Sequence, residues 1–170
     1  MRTFKTFLED TTGPEWTKSG PELTPSFQHK TYIDGHEVDC YFDNISSKEM
    51  PHAYDISFSV NGRTLASPEG GISPVSARKI YNHFQKSIGS IVKNPPNKVP
   101  VSHITYEPAA STKDDRGITV ADEGASRKKG ELMMHLMRRL KFVAPDGSNI
   151  STGPSKFGDN KVTVDLTKLA

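Results

Sequence analysis

The residues best placed for acid–base chemistry are His103 and Glu107. Both lie in the run VPVSHITYEP, residues 99–108. It reads as a strand in which alternate side chains share a face, so His103 would project from it with Glu107 near its end. A carboxylate near an imidazole tunes it for general-base work. The commoner role for a strand histidine is a hydrogen-bonded place in the core. The other histidines (His29, His36, His52, His83 and His135) supply no pair at the spacing of a metal-binding helix. The single cysteine, Cys40, excludes a disulfide framework within these residues and any multi-cysteine zinc or iron–sulfur site. It falls in a strand-like run and reads as a packing residue. No G-x-S-x-G elbow, phosphate-loop lysine motif or H-E-x-x-H is present, and Glu69-Gly70-Gly71 is too short for a dinucleotide fingerprint.

A second concentration of chemistry is basic. Between Ser126 and Lys141 lie Arg127, Lys128, Lys129, Arg138, Arg139 and Lys141 against Glu131 alone. Arg127, Lys128, Arg138 and Arg139 would form a basic face of a helix, either solvated or docking a phosphate-bearing or protein partner. The whole chain hides this asymmetry, since its net charge is only +2. Residues 1–85 hold 8 basic and 11 acidic side chains, and residues 86–170 hold 14 and 9.

The elements that must position these groups follow from periodicity. Apolar positions Ala77, Ile80, Tyr81, Phe84, Ile88, Ile91 and Val92 fall on one helical stripe. Ser73 can cap that helix and Pro74 suits its first turn, while Pro95-Pro96 ends it, predicting a helix over 74–93. Leu132, Met133, Leu136, Met137 and Leu140 predict a second helix over 126–141, with the methionines in the core. Asp34-Gly35 sits between Tyr32-Ile33 and the alternating Val38, Cys40 and Phe42, which predicts a hairpin. Tyr54, Ile56, Phe58 and Val60 predict a half-buried strand ending at a second turn, Asn61-Gly62. Residues 99–106 predict a central strand, apolar on both faces, and Val162, Val164 and Leu166 a last one. Residues 108–125 read as a long polar loop, a class that is usually functional or mobile.

Residues 1–28 read as an irregular Pro/Gly-rich arm carrying Trp16, Leu23 and Phe27 as anchors, and residues 29–170 as one α/β domain. Phe4, Phe7 and Leu8 at helical spacing could form a short docking segment. The fold class expected is α/β (α+β): a single mixed sheet of about five to seven strands with two main amphipathic helices. At 170 residues, 34% hydrophobic with a mean hydropathy of −0.58, the chain can fill one core. No apolar run is long enough to span a membrane. Lys5 and Glu9 interrupt the opening residues, so no secretory signal is expected.

The succession YDISFSVNG, ARKIYNHFQKSIGSIV, VSHITYEP and SRKKGELMMHLMRRLKF resembles small tailed-phage proteins with a GNAT-like, acetyltransferase-type fold. The opening MRTFKTFL also resembles the starts of many such proteins. The resemblance covers about half the chain, residues 54–142. It implies a phage protein acting by binding, as a virion or assembly component or a host-directed factor, located in the virion or the host cytoplasm. Catalysis would then be degenerate and no cofactor held. It also implies an alternative, an acetyl-CoA-dependent N-acetyltransferase. There, Arg127 and Gly130 of Arg127-Lys128-Lys129-Gly130 would bind the cofactor pyrophosphate and His103 or Glu107 would act as base. A nucleic-acid-associated factor docking its basic helix is a further alternative.

Overall fold

The computed structural model describes residues 15–64, 71–108, 111–113, 115–121, 123–154 and 160–169. The expected docking segment at Phe4, Phe7 and Leu8 lies outside them. Strands β1 (Thr17–Ser19), β2 (Ser26–Ile33), β3 (His36–Asn44), β4 (Ala53–Val60) and β5 (Arg63–Thr64) come first. Helix α1 (Pro74–Lys93) leads to β6 (His103–Tyr106), followed by β7 (Ser111–Lys113), β8 (Thr119–Ala121) and helix α2 (Glu123–Arg139). Strands β9 (Ile150–Pro154) and β10 (Asn160–Asp165) and a 3₁₀ turn, Leu166–Lys168, complete the chain.

Seven strands lie side by side in the order β1-β2-β3-β4-β6-β10-β9, with β5 folded back on β4. Every neighbouring pair is antiparallel except β4 and β6. This α+β arrangement, one mixed sheet with two helices among the described residues, is the expected fold class. Two turns of left-handed backbone set the meander. Asp34 and Gly35 have φ of 49° and 81°, and Asn61 and Gly62 have 52° and 72°. Positive φ at both central residues suits the right-handed twist of the flanking strands. A parallel neighbour cannot be reached by a tight turn, and α1 provides the crossover from β4 to β6.

Alternation puts apolar side chains on one face of the sheet. Val38, Cys40 and Phe42 pair in register with Val60, Phe58 and Ile56, and Tyr54, Ile104 and Val164 continue the same layer. The buried stripe of α1 (Ile80, Phe84, Ile88 and Ile91) and that of α2 (Met133, Leu136 and Met137) join it in one cluster. Cys40 packs there as expected, and burial pushes its thiol up to about 12. Where the helices approach, a Cβ on Gly89 would stand 3.2 Å from the tip of Leu140.

Helix α1 spans the predicted residues, with the Ser73 side chain accepting from the Ser76 N–H. Its first turn is tied to the β2–β3 turn, because the Ser76 hydroxyl and Lys79 ammonium donate to Asp34 at 2.8 and 2.9 Å.

Several expectations are corrected. The arm is regular over Thr17–Ser19, where it pairs with Ser26–Gln28, and Leu23 anchors nothing, being 93% exposed. Only Trp16 and Phe27 pack. The second helix starts at Glu123, three residues early, and ends at Arg139. The long loop contains the β7–β8 hairpin, and β9 adds an edge strand at Ile150–Pro154 for which no strand was expected. Strand β6 is central, but one of its faces is polar, and Val99 and Val101 precede it.

Phe84 is fully buried and its ring stacks 4.2 Å from that of Phe58. Phe84→Ala is therefore expected to lower unfolding free energy by about 3–5 kcal/mol, as measured by urea denaturation with an unchanged slope.

Candidate functional site

The polar face of the sheet gathers much of the chain's titratable chemistry. Alternation sends Lys30, Asp39, Asp55, His103, Thr105, Lys161 and Asp165 to this side. At the junction of β4 and β6, the Thr105 hydroxyl donates to Asp55 at 2.5 Å, and Lys161 Nζ stands 3.3 Å from the same carboxylate oxygen. Thr105 is 1% exposed, so its hydroxyl needs that acceptor. Farther out, Asp39 is buried with Lys30 Nζ at 3.8 Å, and Lys30 also reaches Glu37 at 3.2 Å.

His103 is held on this face as a tie between segments. Its Nδ1 lies 2.8 Å from Ser102 Oγ and its Nε2 lies 3.5 Å from Asp165 Oδ1. The order Ser–His–Asp imitates a nucleophilic triad, but the proton path does not fit one. The Ser102 hydroxyl donates to the Pro51 carbonyl, so Nδ1 must donate to Ser102 and cannot take its proton. Asp165 also caps the final turn, accepting from the Thr167 N–H at 2.9 Å. Thr167, more than His103 or Lys168, holds the Asp165 carboxyl below its ordinary range. The carboxylate facing His103 is therefore Asp165, and the expected pairing with Glu107 is corrected. Four residues apart along an extended strand, His103 and Glu107 are separated by about 13 Å.

Glu107 lies instead where β6 leaves β4. The parallel register runs from Ala53↔His103 to Asp55↔Thr105, after which β4 continues to Val60 beside β3 and, at Ser59–Val60, β5. One Glu107 oxygen, Oε1, is buried without a hydrogen-bond partner. Lys129 of α2 comes close enough for Glu107 and Asp55 to favour its charge, although burial prevails and lowers its pKa. Half-buried Lys129 and Glu107 thus share the region beyond the last β4–β6 pair.

The basic helix carries the remaining predicted residues. Arg127, Lys128, Arg138 and Arg139 are all exposed. They form two pairs, one near each end of α2, about 16 Å apart along the axis. Gly130 lies inside α2 with a notional Cβ only 3.2 Å from Pro108 Cβ, so the helix start packs against the end of β6. Gly130, Glu131, Met134, His135 and Arg138 line an open cleft of about 550 Å³. The His135 ring faces Tyr81 of α1 at 6.1 Å, and the Tyr81 hydroxyl is buried without a hydrogen-bond partner. Below Arg138 lies Tyr106, whose phenol is pushed up to about 12 by burial against the opposing pull of that guanidinium. Met133 and Met137 are core, as expected, whereas Met134 is half-buried and belongs to the cleft.

Sequence reasoning missed the cleft residues Glu131, Met134 and His135, and also Ser102, Asp55 and Lys161. The cleft had a signal, because Arg127, Glu131, Met134, His135 and Arg138 recur at helical spacing opposite the core stripe. Asp55 and Lys161 come from strands separated by over a hundred residues, and no local pattern links them. Among the described residues no group of three or more metal-binding side chains assembles, and no helix is long and apolar enough to cross a membrane.

The two close-packed helix glycines should behave oppositely on mutation to alanine. Either substitution gains up to about 1 kcal/mol of helix propensity. At Gly89 the opposing atom is a flexible Leu140 methyl, and at Gly130 it belongs to a proline ring. Gly130→Ala is expected to lose about 1–2 kcal/mol net, and Gly89→Ala to be neutral or stabilising, by chemical denaturation. Compared with known proteins, the chain matches no family model, no curated protein and no solved structure.

Proposed function

We propose that this chain is a binding domain of GNAT-like architecture that works through the cleft along α2, without acyl transfer. The strand order supports the architecture: an antiparallel meander, a crossover helix, one central parallel pair and an antiparallel closing hairpin. A splayed central pair of parallel strands marks the cofactor cleft of acetyltransferase-type folds.

The observation that carries the binding reading is the position of Arg127 to Gly130. A pyrophosphate is held by the unsatisfied backbone N–H groups of a helix's first turn. Helix α2 begins at Glu123, so the N–H groups of residues 127–130 donate to the preceding turn and leave none for an anion. Glu131 adds a negative charge beside them. Lys129 and Glu107 share the region where the parallel strands part.

What α2 offers in exchange is a surface: cations at Arg127 and Arg138, Glu131 and His135 beside them, and Met134 between. A polar rim around a deformable thioether suits a protein partner. In the setting implied by the phage resemblance, that partner is a virion, assembly or host protein. Two ends of positive charge 16 Å apart (roughly, from the helical rise) also suit spaced phosphates less well than a continuous basic patch would.

A second reading, acetyl transfer with Glu107 as base, is favoured by its buried and unpartnered carboxylate oxygen. Titration calorimetry separates the two. The binding reading expects no heat with acetyl-CoA at micromolar concentrations and no acetylation of amine acceptors. Micromolar affinity with turnover would overturn it, and loss of that turnover in Glu107→Gln would then assign the base.

A further inference from the structure

The N-terminal arm is pinned to the domain by rings. Trp16 is half-buried, 5.1 Å from Phe42 in an edge-on contact and 5.8 Å from His29. His29 of β2 lies 5.1 Å from His83 of α1, and its Nδ1 is 2.9 Å from the carbonyl oxygen of Glu15. Arm, sheet and helix therefore meet at two adjacent imidazoles. The backbone contribution is small, because β1 pairs with β2 only from Thr17↔Gln28 to Ser19↔Ser26 and its side chains are exposed. So short an edge strand has little stability of its own, and the arm's hold rests on Trp16 and the rings below it.

The surroundings of His83 favour its neutral form. The Ser87 hydroxyl, 3.5 Å from His83 Nε2, donates to the His83 carbonyl at 2.9 Å. Cys40, beside His29 in the register and 3.8 Å from Ser87 through its sulfur, is a neutral thiol. The charged groups that act on His83 are His29 and Lys86, both cationic when protonated. Glu15 contributes its backbone carbonyl to His29. Phe84 lies 6.4 Å from His83, and Trp16, itself packed on Phe42, covers His29. Burial first, then these two neighbours, bring His83 from 6.5 down to about 4.

We propose that the Trp16–His29–His83 stack is a proton-operated latch, which holds the arm on the domain at neutral pH and releases it when the His83 imidazole charges. The sign follows from linkage. With the arm docked His83 stays neutral, and with the arm gone water reaches the ring and it binds a proton at higher pH. The undocked state therefore holds more protons between pH 6.5 and about 4, so docking weakens as pH falls through that window and is independent of pH above it. Release uncovers Phe42 and the pairing edge of β2 at Ser26–Gln28. An unpaired edge of that kind is a template for another strand.

Trp16 is the only tryptophan in the chain, so its fluorescence reports the latch directly. In the full chain, the emission maximum is expected to move to the red with a midpoint between pH 6.5 and 4, while far-UV circular dichroism is unchanged. His83→Leu keeps the apolar contact and cannot charge, and should hold the emission at its neutral-pH value through the window. His83→Gln is the second variant, should leucine fold poorly, and should do the same. Emission that stays constant down to pH 4 in the natural chain would overturn the proposal. So would a red shift that coincides with loss of ellipticity, or one that persists in both His83 variants.

Discussion

Three register pairs between β4 and β6 hold this molecule together. The strands before α1 form one antiparallel meander and those after it form another unit, β6 with β10 and β9. The sheet is continuous only through Ala53↔His103, Tyr54↔Ile104 and Asp55↔Thr105. Being parallel, the seam demands a long crossover, so α1 must exist and must lie against the sheet. On the apolar side Tyr54 and Ile104 bury the seam beneath the helices. On the polar side Asp55, from the acidic half of the chain, accepts from Thr105 and pairs with Lys161, both from the basic half. Just outside the register, the Ser102 N–H donates to the His52 carbonyl and the Ser102 hydroxyl to that of Pro51. The opposite charges of the two halves meet where their strands join.

The parts of the fold legible in the sequence are those set by local chemistry. Helix α1 was readable to the residue, because a capping serine, a first-turn proline and a proline pair act within a few bonds of its ends. The Asp34-Gly35 and Asn61-Gly62 turns were readable for the same reason, since few other residues tolerate positive φ. The start of α2 was not, because Gly124 argues against helix and Ser126 offers a competing start. Strand β9 was illegible because an edge strand with one partner needs no apolar alternation: Ser151 and Thr152 are exposed. Among the described residues the β7–β8 hairpin pairs with no other strand, and its residues carry no core pattern in the sequence.

The candidate sites were legible in proportion to how local they are. Arg127, Gly130 and Arg138 could be placed on one helix, and that helix face lines the cleft. His103 was correctly placed on β6 but given the wrong partner, since Asp165 reaches it only through the β6–β10 pairing. Phosphate binding at Arg127-Lys128-Lys129-Gly130 depended on a helix beginning near Gly130. Two extra turns ahead of that glycine change its chemistry altogether: the same residues that would open an anion site become the middle of a helix whose backbone donors are occupied. Gly130 then has a packing role, letting α2 lie against Pro108.

That packing connects the seam to the cleft. Pro108 follows Glu107 directly, and β6 can leave β4 only if the chain after Tyr106 has somewhere to go. It runs against α2 at Gly130, which fixes the height at which α2 crosses the end of the seam. Met133, Leu136 and Met137 then fall onto the apolar layer, and Met134, His135 and Arg138 turn outward at the cleft. At the opposite end of the sheet the constraint differs. There, Trp16 joins the arm to β2 and β3 through the rings of His29 and Phe42, beside only a three-residue ladder and the His29–Glu15 hydrogen bond. A β-sheet of this order has two free edges and one seam; the helices secure the seam, and the edges are left to short strands whose attachment costs little to reverse. The proposed change of state therefore falls at the β1 edge, and the proposed recognition surface on α2, beside the seam that positions it.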